Sequence, residues 1–322
     1  MNVGPDHLAL GRSTAFLVAA ALTALAGCGR HAAPEPPAQT AVEVEVSHHG
    51  ESGDAAFVGL SALSRAADGS LWAVPERQDH LLRLGLEGGK IAAKILPLRG
   101  KPAGLDAEGL AMWGDGQFAI ATEGHGGDRE SDSVLLGHLT AEAAQIDEQL
   151  QLPYARWGIR GESNRGLEGI CWAGRLWVAA ETVISDERGR WAPLARREDD
   201  GRWSVARLRL TSQRAKISAL ACRKLEGGHT ELWAIERHYG TARWLRAVVP
   251  PQLPAEITAS VHADLAKPLA AVYGQVPNVE GIAADSEDAA AAWLITDNSQ
   301  GGAVLVPAAL VRVQPRRDGA QP

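Results

Sequence analysis

The sequence predicts an all-β fold assembled from a repeated unit, and three observations carry that prediction. Short apolar runs punctuated by Gly, Asp and Asn dominate the chain, and long helical apolar stripes are absent. A Glu-Gly pair followed by apolar residues recurs, at Glu108-Gly109, Glu168-Gly169 and Glu280-Gly281. Behind it recurs an apolar strand phrase that ends on a carboxylate: LWAVPE from Leu71, LWVAAE from Leu176, LWAIE from Leu232 and WLITD from Trp293.

The elements follow in chain order. An apolar run from Ala15 to Ala26 follows Arg12 and is too short for a comfortable membrane span, as in a signal peptide. It ends in Leu25-Ala26-Gly27-Cys28, which resembles the bacterial lipobox. That resemblance implies a signal peptide over 1–27 and lipidation of Cys28, hence an extracytoplasmic lipoprotein. Gly29 is not the Asp of an inner-membrane retention signal, so the outer membrane is favoured over the inner. Residues 28–41 are rich in Pro and Ala and form a tether with too little apolar content to fold. The rest of the 322 residues is a single domain over 42–315, with a short tail over 316–322. The net charge of -7 disfavours nucleic acid and anionic membrane surfaces as partners, leaving the lipid as the membrane contact.

Within the domain, Val58–Leu63 and Ser218–Cys222 are degenerate copies of the Glu-Gly phrase. The five copies start 50, 60, 50 and 62 residues apart, close to the period of propeller blades. Asp68-Gly69, Gly114-Asp115-Gly116, Ala173-Gly174 and Gly227-Gly228 supply turns between the first and second strands. Residues 80–86, 133–139, 203–210, 243–249 and 303–310 read as third strands. The alternating run 41–48 is expected to join the C-terminal 309–315 and complete a further blade. The expectation is a β-propeller of six blades, with five as the alternative. The tryptophans at 72, 177, 233 and 293 are read as packing between blades.

Antiparallel first and second strands place the start of one and the end of the other on the same face. Glu108, Glu168 and Glu280 are therefore expected to ring one mouth of the channel. Glu76, Glu123, Glu181, Glu236 and Asp297 are expected slightly further out. Such a ring either binds a hard cation through oxygen ligands, for which Ca²⁺ is the candidate, or holds turns and arginine pairs together. Arg77, Arg165 and Arg237 stand beside these acids. His125, in a Gly-rich loop after Glu123, and His238 are the visible candidates for proton transfer, against plain loop histidines. The run Arg196–Asp200 reads as a solvated loop. Cys171 and Cys222 sit in apolar runs and read as buried thiols, with a disulfide as the alternative. Nucleophile-elbow, zincin, Walker and dinucleotide motifs are absent from the sequence.

The runs DAEGLA (106–111), NRGLEGI (164–170), LWAIER (232–237) and NVEGIA (278–283), closed by LITDNS (294–299), resemble the phytase-like family described by an esterase-like activity. The resemblance spans about residues 55–310 and implies a propeller with a metal-associated acidic face. By motif it carries over Glu108, Asn164, Glu168, Glu236, Arg237 and Glu280. The function expected is Ca²⁺-assisted hydrolysis of a small phosphate or carboxylic ester by a monomer, with Glu108, Glu168, Glu280, Glu236, Asp297 and Asn164 as metal ligands. Arg77 and Arg237 would stabilise developing charge. The alternative is a non-catalytic binding module of the cell envelope with a structural ion.

Overall fold

The computed structural model describes residues 39–49, 55–87, 90–285, 287–288, 290–297, 299–300, 303–304 and 309–316. Cys28, the signal segment, most of the tether and residues 317–322 lie outside the described residues.

The strands fall into antiparallel units. β1 (Val42–His49) precedes unit one, which is β2 (Leu60–Arg65), β3 (Leu71–Pro75), β4 (His80–Glu87) and β5 (Lys90–Arg99). Unit two is β6 (Leu105–Trp113), β7 (Gln117–Gly124), β8 (Ser131–Leu139) and β9 (Ala144–Pro153). Unit three is β10 (Leu167–Trp172), β11 (Leu176–Ala180), β13 (Gly189–Arg197) and β14 (Trp203–Arg209), with the short β12 (Ile184–Asp186) beside β13. Unit four is β15 (Lys216–Lys224), β16 (Thr230–His238), β17 (Thr241–Val249) and β19 (Ser260–Asp264); β18 (Glu256–Thr258) crosses to pair with β14. After the helix α1 (Ala266–Tyr273), unit five is β20 (Asn278–Ala284), β21 (Ala292–Asp297) and β24 (Ala309–Pro315), with a small hairpin of β22 (Ser299–Gln300) and β23 (Ala303–Val304). Its fourth strand is β1, paired with β24 from Val42↔Pro315 to His49↔Ala309.

The innermost strands form a closed ring: β2 packs on β6, β6 on β10, β10 on β15, β15 on β20, and β20 back on β2. The chain is a β-propeller. Among the described residues its strands make five four-stranded units. The expected sixth blade is not among them, because 42–49 and 309–315 complete unit five. Pairing strands from near the two ends of the domain ties the ring shut.

Alternation of side chains across each pleat gives every unit two apolar faces, and the faces meet in clusters between neighbours. In β17, Trp244 packs toward unit five while Leu245, Ala247 and Val249 pack toward unit three. Trp72, Trp177 and Trp233 are buried in these interfaces, as expected, and Trp293 packs half-buried against one. Each fully buried large side chain contributes about 1.5–3 kcal/mol.

Further expectations are corrected. Residues 203–210 give the fourth strand of unit three; the third is β13, whose Arg196 is buried against the Trp177 ring at 5.3 Å and paired with Glu198. The solvated part of that run is only the turn at its end. Of residues 303–310, β23 covers 303–304, β24 begins at Ala309, and 305–308 lie outside the described residues. Cys171 and Cys222 are not free thiols. They lie on adjacent inner strands, with Cα atoms 5.7 Å apart, and form a disulfide.

Candidate functional site

The chemistry of one end of the ring is set by a β-bulge repeated in every inner strand. The register shifts between Leu60 and Ala62, Ala107 and Gly109, Leu167 and Gly169, Ile217 and Ala219, and Val279 and Gly281. The extra residues are Ser61, Glu108, Glu168, Ser218 and Glu280. A bulge re-aims its residue out of the ordinary pleat. Here all but Ser218 line a cavity of about 250 Å³ at one mouth of the channel. Ser61 and Ser218 donate to the backbone carbonyls of Ala107 and Val279 in the next unit, the latter at 2.7 Å.

The glycine after each glutamate has a separate task. A Cβ on Gly109 would lie 2.5 Å from the Glu168 carbonyl oxygen, one on Gly169 2.6 Å from Leu220 Cβ, and one on Gly281 2.5 Å from the Leu63 nitrogen. Glu-Gly is therefore a packing device between inner strands as well as a source of charge. It is not a turn.

The second-strand ends complete the cup with Glu76, Glu123, Glu181 and Asp297. In unit four the register places Arg237, opposite Lys216, where units two and five have Glu123 opposite Asp106 and Asp297 opposite Asn278. Glu236 faces the other way. It is fully buried and accepts from Thr211 N at 2.9 Å, Ser212 N at 2.8 Å and the Thr211 hydroxyl. Its expected role as a cup ligand is corrected: alternation along β16 points it away from the channel.

Eight carboxylates thus share the cup with three cations, Arg77, Lys216 and Arg237. Arg237 donates to Glu280 from both Nε and Nη2, and Asn278 adds a bond of 2.6 Å to the same carboxylate. Lys216 pairs with Glu181 Oε1. Glu181 is 2% exposed, and its Oε2 has no hydrogen-bond partner among the described residues. Glu123 accepts from Gly166 N at 3.1 Å. Arg77, whose side chain is 71% exposed, reaches Glu76 at 2.9 Å and Asp106 at 3.5 Å. Single oxygens of Glu76, Asp106 and Glu108 lie within 4.8 Å of one another. That spacing fits donors around one oxygen-ligated cation. Asn164, at a left-handed φ of 53°, and Asp297 line the rim. His125 stands 63% exposed outside it, 3.7 Å from Asp106. His238 packs edge-on to Tyr239 and does not line the cup.

Burial and mutual repulsion shift these groups. Glu108 rises well above its ordinary range through burial, then through Glu168, Glu76, Glu123 and Glu280. Glu168 rises to about 7 through burial, opposed by Lys216 and Arg237. Glu280 rises to about 8 through burial, opposed by Arg237 and assisted by Glu168. Burial pushes Lys216 down.

Asp106 and Lys216 were not singled out as site residues in the sequence reading. Aligning the copies on Ser61-Ala62 and Ser218-Ala219, the equivalents of Glu-Gly, places Gly59, Asp106, Gly166, Lys216 and Asn278 in one column two residues earlier. The first copy then pivots on Ser61, not on Val58.

Comparison with curated proteins finds no match. Among solved structures, a protein of unknown function from Dyadobacter fermentans shares 11% identity, covering 85% of this chain and 99% of that one, with a TM-score of 0.48. The PQQ-bound aldose sugar dehydrogenase from Streptomyces coelicolor shares 12% identity over 87% of this chain and 100% of that one, with a TM-score of 0.43. The family described as "esterase-like activity of phytase" matches residues 55–300. The closed ring of strands, the acidic mouth and that match together make the chain a member of the phytase-like family.

Proposed function

We propose that the cup is the site of a cation-assisted hydrolase of small phosphate or carboxylic esters. The observation that carries this reading is the excess of carboxylate over cation in one cavity, together with the buried, unpartnered Glu181 Oε2. Glu76, Asp106 and Glu108 would hold the cation, and an all-oxygen donor set suits calcium. Once bound, the ion supplies polarisation of an ester oxygen and a more acidic water.

The chain's own groups take the remaining roles. Lys216 and Arg237 come from unit four, across the ring from units one and two, and stabilise negative charge developing on the ester. Glu168, with a carboxyl near 7, exchanges a proton near neutral pH. Arg77 bridges Glu76 and Asp106 and fixes their orientation. Titrating the full chain with calcium chloride, while following thermal unfolding and heat of binding, should give saturable stabilisation that Glu108→Gln abolishes. The same samples should turn over p-nitrophenyl phosphate or p-nitrophenyl acetate. An affinity unchanged in Glu108→Gln removes the proposed metal site.

A second reading is favoured by one observation. Among the described residues no histidine lines the cup. In a non-catalytic envelope module the acids would hold a structural ion, and calcium would bind without turnover of either ester. We also propose that the chain is anchored outside the cytoplasm through lipidated Cys28. The disulfide between Cys171 and Cys222 supports an oxidising compartment.

A further inference from the structure

Away from the cup, one cavity is rich in hydrogen-bond donors and, among the described residues, lined by no carboxylate. It has a volume of about 360 Å³ and lies between the outer edge of unit three and the loop entering β15. Within unit three β13 begins, and β14 ends, on the same side as the cup. The cavity therefore lies on the cup face, roughly 14 Å outward across three strand spacings.

Arg190 and Arg209 line it, and neither has a carboxylate partner among the described residues. Both are held in place. Arg190 Nη1 donates to the Ser212 carbonyl at 2.7 Å. Arg209 Nη2 donates to the Arg188 carbonyl at 3.3 Å, and its guanidinium lies 5.7 Å from the Trp191 ring centre. Arg188 and Arg207 flank the same ring but are neutralised by Asp186 and Glu256. Glu236, beneath the loop, spends its oxygens on Thr211 and Ser212. Gln213 and Thr258 also line the cavity, and their side chains make no hydrogen bond to other described residues. The cavity thus gathers two guanidinium groups without a carboxylate partner, an amide and a hydroxyl along one lining, with Arg209, Gln213 and Thr258 open to solvent. Donors of this kind suit an anion with several acceptor oxygens, and arginine matches it with paired N–H groups.

We propose that this cavity binds a phosphate or sulfate group, free or as a monoester, between Arg190 and Arg209. The site is separate from the cup and holds whether or not the cup is catalytic.

The test is calorimetric titration of the full chain with inorganic phosphate, sodium sulfate and glucose 6-phosphate at constant ionic strength. One saturable site is expected. Arg190→Gln or Arg209→Gln should each weaken it about 10-fold, the double variant should abolish it, and Glu108→Gln should leave it unchanged. Thr258→Val, which alters no charge, should weaken it less, which covers the case of an arginine variant that folds poorly. Tighter binding of glucose 6-phosphate than of inorganic phosphate marks a monoester site, and equal binding marks a site for the free ion. No saturable heat with any probe, or unchanged affinity in a folded double variant, overturns the proposal.

Discussion

Gly169→Ala tests the account of why glutamate is followed by glycine. The new Cβ would lie 2.6 Å from Leu220 Cβ, 2.8 Å from Leu220 N and 3.1 Å from the Ala219 carbonyl carbon. Carbon contacts settle at about 3.5–4.0 Å, so β10 and β15 must part by about 1 Å where they pack closest. Two of the three obstacles are backbone atoms, so no rotamer change relieves the clash. Overpacking of this kind costs about 1–3 kcal/mol, and the gap opened beside it forfeits further dispersion, giving about 3 kcal/mol in all. At about 2–4 °C per kcal/mol, the thermal midpoint should fall by about 6–12 °C. Gly85→Ala in β4 is the control, with its nearest neighbour atom 3.7 Å away, and should stay within about 0.5 kcal/mol of the parent. Urea unfolding of both variants, read by tryptophan fluorescence, measures the difference. A Gly169→Ala loss no larger than that of the control would refute the packing role.

The cup also predicts an unusual pH profile. Unfolded glutamates lose their protons near 4.5, whereas Glu168 and Glu280 hold theirs to about 7 and about 8. Between those limits the folded state binds more protons, so stability falls as pH rises from about 4.5 to 8. Glu280→Gln should flatten the upper part of that slope, and a profile that rises toward pH 8 would contradict the assignment. Asp68 and Asp285, whose carboxyls are lowered, work in the opposite sense at more acidic pH. For the anchor, Cys28→Ser should release the chain from membrane fractions into the soluble extract, and continued membrane retention would remove the lipid.

The fold was legible because the repeat is written in strand phrases that each unit needs. LWAVPE, LWVAAE and LWAIER share the buried tryptophan position, since every interface between units needs an apolar plug. The unit count was not legible, because 42–49 reads equally well as part of a new blade or as the outer strand of an existing one. Only pairing with β24 decides between them. The site was half legible. An ungapped alignment of LWAVPE with LWAIER sets Glu76 against Arg237 and Pro75 against Glu236. Taking the carboxylate by type, and not by column, moved Glu236 onto the wrong face. Strand β13 was hidden because GRWAPLARR mixes arginines with a proline, and its burial depends on stacking of Arg196 over Trp177. The disulfide depends on two strands far apart in sequence meeting in the ring, which spacing alone does not show.

The chemistry of the acids depends on what lies beneath them. Two residues past each bulge, the five units place Leu63, Leu110, Ile170, Leu220 and Ile282, all nearly inaccessible to water. They form an aliphatic floor between the cup and a wider cavity of about 340 Å³ at the opposite mouth, where Trp113 and Trp172 stack at 4.7 Å. Charges set against an apolar floor lose hydration on one side, so the charged form of each carboxyl is disfavoured and its neighbours are felt more strongly. Serine at Ser61 and Ser218 limits how many glutamates the floor must carry, and each serine bonds the next unit. The two cations that enter the middle of the cup come from unit four alone, where the column that carries acid in the other four units holds Arg237. The repeat builds a symmetric ring, and its broken copy gives that ring a positive side facing the Glu76, Asp106 and Glu108 carboxylates.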